Sequence, residues 1–205
     1  MNRRAVLLFF LLVPFAFAKP RTPEPVIVCF GDSLTAGYGA ASGHSYPDYL
    51  QQLLDSRGYR YRVVNMGISG DTTKDGVNRI NSVIAAHPAI AVVEYGGNDM
   101  LRGLPLSATR ANLDTIISTL QHAGIKVALA GITLPPNYGH DYIADIGNTY
   151  ELAAKKFNVP LLPFILAHVY TIPGAMQADG VHGTAKGNEL MAENVLALIK
   201  PLLKK

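Results

Sequence analysis

Val26-Ile27-Val28-Cys29-Phe30-Gly31-Asp32-Ser33-Leu34-Thr35-Ala36-Gly37 passes from an apolar run into small, turn-forming residues. The apolar part predicts a strand. In an α/β chain the carboxyl end of a strand opens onto the crevice where ligands bind, and Ser33 stands just past that end. Ser33 is therefore either a nucleophile facing the crevice or part of an ordinary strand-to-helix turn in which Ser or Asp caps the helix. The choice depends on what the other strand ends bring.

Outward from this stretch, strand-like runs alternate with amphipathic helical ones. The strand-like runs are Val26–Phe30, Tyr61–Asn65, Ala89–Tyr95, Lys126–Gly131 and a short Val159–Leu162. Helical patterns cover Tyr46–Ser56, Thr73–Ala85, Ala108–His122, Asp141–Phe157 and Ala185–Leu198. This alternation predicts an α/β fold with a parallel sheet covered on both faces. Ala91-Val92-Val93-Glu94-Tyr95 is nearly all β-forming, as a central strand requires. Glu94 is the exception: a carboxylate there is either a group of the ligand site or a structural partner to a nearby backbone or basic residue.

At 205 residues, 49% hydrophobic and 16% charged, the chain has material for one substantial core. Its first 18 residues follow a separate logic. Arg3-Arg4 form a basic start, Ala5 to Val13 an apolar run and Ala16-Phe17-Ala18 a small-x-small cleavage site, the pattern of a secretory signal peptide cut after Ala18. Export to the periplasm or the medium follows as an expectation, with no stable membrane span after cleavage, since the apolar run is short for one. Lys19–Pro25 is a Pro-rich lead unsuited to a sheet or helix interior, and residues 26–205 are expected to form a single domain. Without Arg3 and Arg4 the chain carries 16 Lys+Arg against 15 Asp+Glu, a formal +1. That balance argues against nucleic acid or an anionic membrane surface as a partner. Cys29 is the only cysteine, so no intramolecular disulfide is possible, and its strand-forming neighbours predict a buried core residue.

Each strand end shows the same change from apolar to small and polar. The second gives Asn65-Met66-Gly67-Ile68-Ser69-Gly70-Asp71-Thr72, the third Gly96-Gly97-Asn98-Asp99, and the last strand region is followed by Asp179-Gly180-Val181-His182. All should meet at one edge of the sheet. A serine nucleophile needs a base within hydrogen-bond reach, itself oriented by a third group. Of the six histidines, only His182 has an acid placed as Asp179 is, three residues earlier in a Gly-containing loop. Standing alone, the same loop reads more readily as a turn before the last helix with Asp179 as a local cap, and Ser33 changes that balance. An acyl-transfer site also needs donors for the developing oxyanion. The Gly70 N–H, the Asn98 side-chain amide and the N–H of Ser33 are suitable.

These four blocks, Gly31-Asp32-Ser33-Leu34, Asn65-x-Gly67-x-Ser69-Gly70-Asp71, Gly96-Gly97-Asn98-Asp99 and Asp179-x-x-His182, resemble those of the SGNH (GDSL) hydrolases, in the family's order. Within that family the chain looks most like the exported bacterial multifunctional acyl-CoA thioesterases, lysophospholipases and arylesterases. Similar stretches include Gly96–Gly103, Leu134–Gly139 and Val159–Phe164. The resemblance implies a flavodoxin-like three-layer α/β/α sandwich of five parallel strands. It also implies Ser33 as nucleophile, His182 as base, Asp179 as its orienter, and Ser33, Gly70 and Asn98 as the oxyanion hole. His182 is followed by Gly183 where relatives often carry Pro, which predicts a looser catalytic loop. The small residues of Tyr38–His44 border the expected entrance and leave the size of the substrate open.

The expected reaction is hydrolysis of a small-molecule acyl ester or thioester by a monomer, with no cofactor and no metal, because no His/Asp/Glu set has ligand spacing without consuming the triad. Ile132–Tyr142 is the candidate acyl-contacting loop, with Pro135, Asn137 and Tyr138 as substrate-binding residues. Leu101–Leu106, holding Leu104, is a candidate second wall. Both segments also suit a purely structural loop. Two other functions fit the same residues: a carbohydrate acetylesterase, which lacks a Trp platform here, and a noncatalytic protein that holds a small ligand in the crevice.

Overall fold

The computed structural model describes residues 23–205. Residues 1–18, expected as a signal peptide, and 19–22 of the Pro-rich lead lie outside the described residues. Five strands form one parallel sheet: β1 (Val26–Gly31), β2 (Arg62–Asn65), β3 (Ile90–Glu94), β4 (Lys126–Ala130) and β5 (Leu161–Leu162). Their order is β2-β1-β3-β4-β5, the flavodoxin-like arrangement. Among the described residues seven α-helices follow: α1 (Ser33–Ala36), α2 (Tyr46–Ser56), α3 (Thr73–Ala85), α4 (Gly97–Leu101), α5 (Leu106–His122), α6 (His140–Phe157) and α7 (Ala185–Ile199). The α2 helix packs on α7, while α3 packs on α5 and α5 on α6, so two helical layers enclose the sheet.

Every residue of β1 and β3 is buried, as expected for central strands covered on both sides. The edge strand β5 is shorter than its apolar pattern suggested. Pro160 and Pro163 flank it and cannot donate to the ladder, leaving only Leu161 and Leu162 in register with Leu129 and Ala130. Two helices escape the periodicity altogether: α1 and α4 span single turns at strand ends, too short for a 3.6-residue pattern to show. Cys29 is fully buried in the core, and desolvation pushes its thiol up to about 12, so it packs as a small apolar side chain.

The topology places the site. The chain leaves β1 for β2 on one side, then crosses to β3 on the other, so β1 and β3 flank the point where the winding reverses. Gly31 and Glu94 end these strands in register. Gly31 has to be glycine: a Cβ there would lie 2.2 Å from Thr35 Oγ1 and 2.4 Å from the Glu94 carbonyl oxygen. That close approach lets α1 begin immediately past the strand, with Ser33 as its first residue.

Candidate active site

Asp32 caps α1, its Oδ1 accepting from the Leu34 N–H at 3.1 Å, while the half-buried Ser33 turns outward. The two readings of this stretch are therefore compatible: aspartate supplies the cap and leaves the serine hydroxyl for another partner. That partner is His182, whose Nε2 lies 2.8 Å from Ser33 Oγ. The other ring nitrogen, Nδ1, is 2.7 Å from Asp179 Oδ2. Asp179 Oδ1 in turn accepts from the N–H groups of Val181 (2.9 Å) and His182 (3.0 Å). Desolvation alone would raise the Asp179 carboxyl. The hydrogen bonds from the His182 ring and from these two amides outweigh it and hold the group at about 2, ionised throughout the working range.

The loop carrying His182 is not loosened by Gly183. Gly183 pairs in an antiparallel bridge with Met176, the Gln177 N–H donates to the His182 carbonyl at 2.8 Å, and the Thr184 N–H donates to Ala175. Thr184 then caps α7. The slack expected from the missing proline is taken up by this bridge. Tyr38, exposed on the loop after α1, lies against the His182 ring with centroids 4.7 Å apart.

The three expected oxyanion donors differ in their surroundings. The N–H groups of Ser33 and Gly70 make no hydrogen bond among the described residues. Gly70 has φ +88°, a conformation L side chains rarely adopt, and its carbonyl accepts from Arg102 Nη2 at 2.7 Å. Asn98 sits in the first turn of α4, and its Nδ2 donates both to Asp32 Oδ2 (3.1 Å) and to the Asp71 carbonyl (3.0 Å). Its amide therefore bridges the Ser33 turn to the loop that carries Gly70.

Glu94 does not line the crevice. It lies fully buried behind α1, where Oε2 accepts from Thr35 Oγ1 at 2.7 Å and Oε1 has no partner among the described residues. Burial, with the Asp32 carboxylate nearby, raises Glu94 well above the usual carboxylate range. Burial also pushes Asp32 up. Glu94 thus supports the Ser33 turn from beneath, a structural role whose partner is the Thr35 hydroxyl rather than the backbone or basic residue expected for it.

A cavity of about 370 Å³ opens beside the Ser33–His182 pair. Its walls are largely apolar: Leu101, Ile132, Leu134, Pro135, Tyr138, Phe164, Leu166, Tyr170 and Val181. Of the four expected substrate contacts, two line this cavity and two do not. The stretch 136–138 is a 3₁₀ turn, in which positions three apart eclipse, so Pro135 and Tyr138 reach the cavity together while Asn137 does not line it. The α4 turn brings Leu101 to the wall and leaves Leu104, beyond Gly103, outside. Phe164, Leu166 and Tyr170, from the loop after β5, went unforeseen. The one sequence signal for them was the apolar content of that loop.

The chain matches the GDSL-like lipase/acylhydrolase family over residues 29–190. It is 38% identical over 201 residues to the esterase TesA of Pseudomonas aeruginosa, covering 98% of this chain and 100% of that one. It is 36% identical to thioesterase 1/protease 1/lysophospholipase L1 of Escherichia coli, covering 96% of this chain and 91% of that one. A crystal structure of TesA superposes with a TM-score of 0.83 at 40% identity, covering 87% of this chain and 99% of that chain.

Proposed function

Because the chain belongs to the GDSL-like lipase/acylhydrolase family and is an ester hydrolase, we propose that it works through Ser33, His182 and Asp179 and forms an acyl-enzyme. The observation carrying this reading is the unbroken relay from Ser33 Oγ to His182 Nε2 (2.8 Å) and from His182 Nδ1 to Asp179 Oδ2 (2.7 Å), beside an apolar cavity. His182 accepts the Ser33 proton as the hydroxyl attacks the acyl carbonyl, then returns it to the leaving alcohol or thiol. Water, activated by the same imidazole, releases the acid. Asp179, held ionised, fixes the ring and offsets the imidazolium charge. The N–H groups of Ser33 and Gly70 and the Asn98 amide receive the oxyanion, Asn98 by sharing the longer of its two bonds, that to Asp32.

The substrates are carboxylic esters and thioesters whose acyl part enters the apolar cavity, in keeping with relatives named esterase and thioesterase 1/lysophospholipase L1. A wall made of Leu101, Ile132, Leu134 and Phe164 suits an alkyl or aryl acyl group better than a sugar ring. Among the described residues no helix is long and apolar enough to cross a membrane. The basic, apolar and small-residue succession of residues 1–18 supports export with removal of that segment.

Initial rates on p-nitrophenyl esters from two to sixteen carbons, for wild type and Ser33→Ala, test the reading. Turnover by wild type and loss of about 10⁴-fold or more in the folded variant are expected. A variant as active as wild type rejects Ser33 as nucleophile, and an optimum confined to acetyl esters points instead to an acetylesterase.

A further inference from the structure

Arg79, on α3, lies behind the site, with its guanidinium hydrogen-bonded on every side to the segments that carry the oxyanion donors. Nε donates to Asp71 Oδ2 at 2.6 Å, Nη1 to the Met66 carbonyl at 2.8 Å, and Nη2 to the Gly31 carbonyl at 2.9 Å and to the Tyr95 hydroxyl. Its carbon lies 4.5 Å from the centroid of the Phe30 ring, a cation–π contact that fixes the plane of the fork. One cation thus ties together the residues that end or follow β1, β2 and β3.

The consequence lies in the loop 66–72. Arg79 grips it at both ends, through the Met66 carbonyl and the Asp71 carboxylate. Between those grips is Gly70, whose N–H is one oxyanion donor. The Asp71 carbonyl holds the second donor, the Asn98 amide. Resting on the oxyanion-hole assignment above, we propose that Arg79 is a positioning residue that holds Gly70 and Asn98 where the oxyanion forms. Lysine cannot substitute, because a single ammonium on a flexible stem does not span four acceptors lying around a planar fork. Misplacing two donors weakens the transition state without touching the apolar wall of the cavity, so kcat falls while KM stays. An arginine that merely staples the fold would lower stability and leave turnover of the folded protein intact.

Arg79→Lys and Asp71→Ala, each alone and combined with Asn98→Ala, are measured for kcat and KM on p-nitrophenyl butyrate well below their melting temperatures. Arg79→Lys should lose about 10- to 100-fold in kcat with KM within about threefold, and Asp71→Ala should move in the same direction. In the Asn98→Ala background the further loss should be clearly smaller than in wild type, since only Gly70 then remains to be misplaced. Equal losses in both backgrounds, or an unchanged kcat in folded Arg79→Lys, overturn the positioning role. Should Arg79→Lys not fold, Asp71→Ala removes the same link from the loop side and decides by the same comparison. If Asn98→Ala alone turns over like wild type, the oxyanion-hole assignment fails and the positioning role falls with it. A crippled Asn98→Ala with an additive Arg79 loss overturns the positioning role alone.

Discussion

The two edges of the sheet are made by the same five strands and carry different groups. At the amino ends the chain returns through the short connections 57–61, 86–89, 123–125 and 158–160, while at the carboxyl ends it spreads into 66–72, 131–139 and 163–184. Both edges have a cavity, and the larger, about 600 Å³, is at the amino edge. Arg60, Lys126, Lys204 and Lys205 line it, with no nucleophile and base in reach of one another. The smaller cavity adjoins Ser33, His182 and Asp179. Of the exposed large apolar side chains among the described residues, Tyr38, Ile68, Leu101, Leu104, Tyr138, Tyr170 and Val181 belong to the carboxyl edge, and Leu152 alone lies elsewhere. Cavity size therefore does not mark the chemistry. Convergence of dissimilar groups does, and it occurs where the sheet's winding reverses and the loops have room to diverge.

The strongest way to test this contrast is to alter Asp179, the group proposed to orient the base. Asp179→Asn keeps the shape of the side chain but removes the charge that the Val181 and His182 amides stabilise. A loss of about 10³- to 10⁴-fold in kcat is expected, read as steady-state turnover of a short p-nitrophenyl ester. A smaller effect comes from the cavity wall. Leu101→Ser should lower kcat/KM about tenfold for a long acyl chain and leave acetyl ester hydrolysis within about twofold, because only the long chain reaches that wall. Equal effects on both esters would remove Leu101 from the acyl path.

The buried Glu94 makes the stability of the carboxyl edge depend on pH. Its carboxyl is raised by burial, so the folded protein binds a proton that the unfolded chain releases once the pH exceeds about 4.5. Stability attributable to this group is therefore fully present below that pH and falls as the pH rises from there toward the folded-state value. Glu94→Gln carries no such proton. Its melting temperature relative to wild type should climb between pH 4.5 and pH 8, measured by thermal unfolding monitored by circular dichroism. A difference that stays flat or falls would show Glu94 to be ionised in the folded state. The smallest effect is expected at the amino edge: Lys126→Ala and Lys204→Ala should leave kcat/KM within about twofold on every ester, and a larger drop would extend the functional surface to that cavity.

Much of this was legible because the informative residues stand at strand ends. Val26–Gly31 followed by Asp32-Ser33 declares the parallel sheet and the serine at its edge, since strand geometry delivers it there, while Asp179-x-x-His182 was legible by its spacing although the long loop 163–184 carries it. What the sequence withheld depends on phase and on distance. Whether Asn137 or Tyr138 reaches the cavity turns on a 3₁₀ turn rather than an α turn, a choice made by tertiary context. Phe164 and Tyr170 reach the site only because the loop after β5 folds back over it. Arg79 looked like any polar residue on an amphipathic helix, because its acceptors, Gly31, Met66, Asp71 and Tyr95, are spread along the chain and meet only in the fold.

The proposed mechanism requires one activated serine at the carboxyl edge. Intact-protein mass spectrometry after treatment with a fluorophosphonate tests it most directly. A single adduct on Ser33 is expected, absent in Ser33→Ala and formed far more slowly in His182→Ala. Folded wild type that stays unmodified, or an adduct that persists in Ser33→Ala, would contradict it.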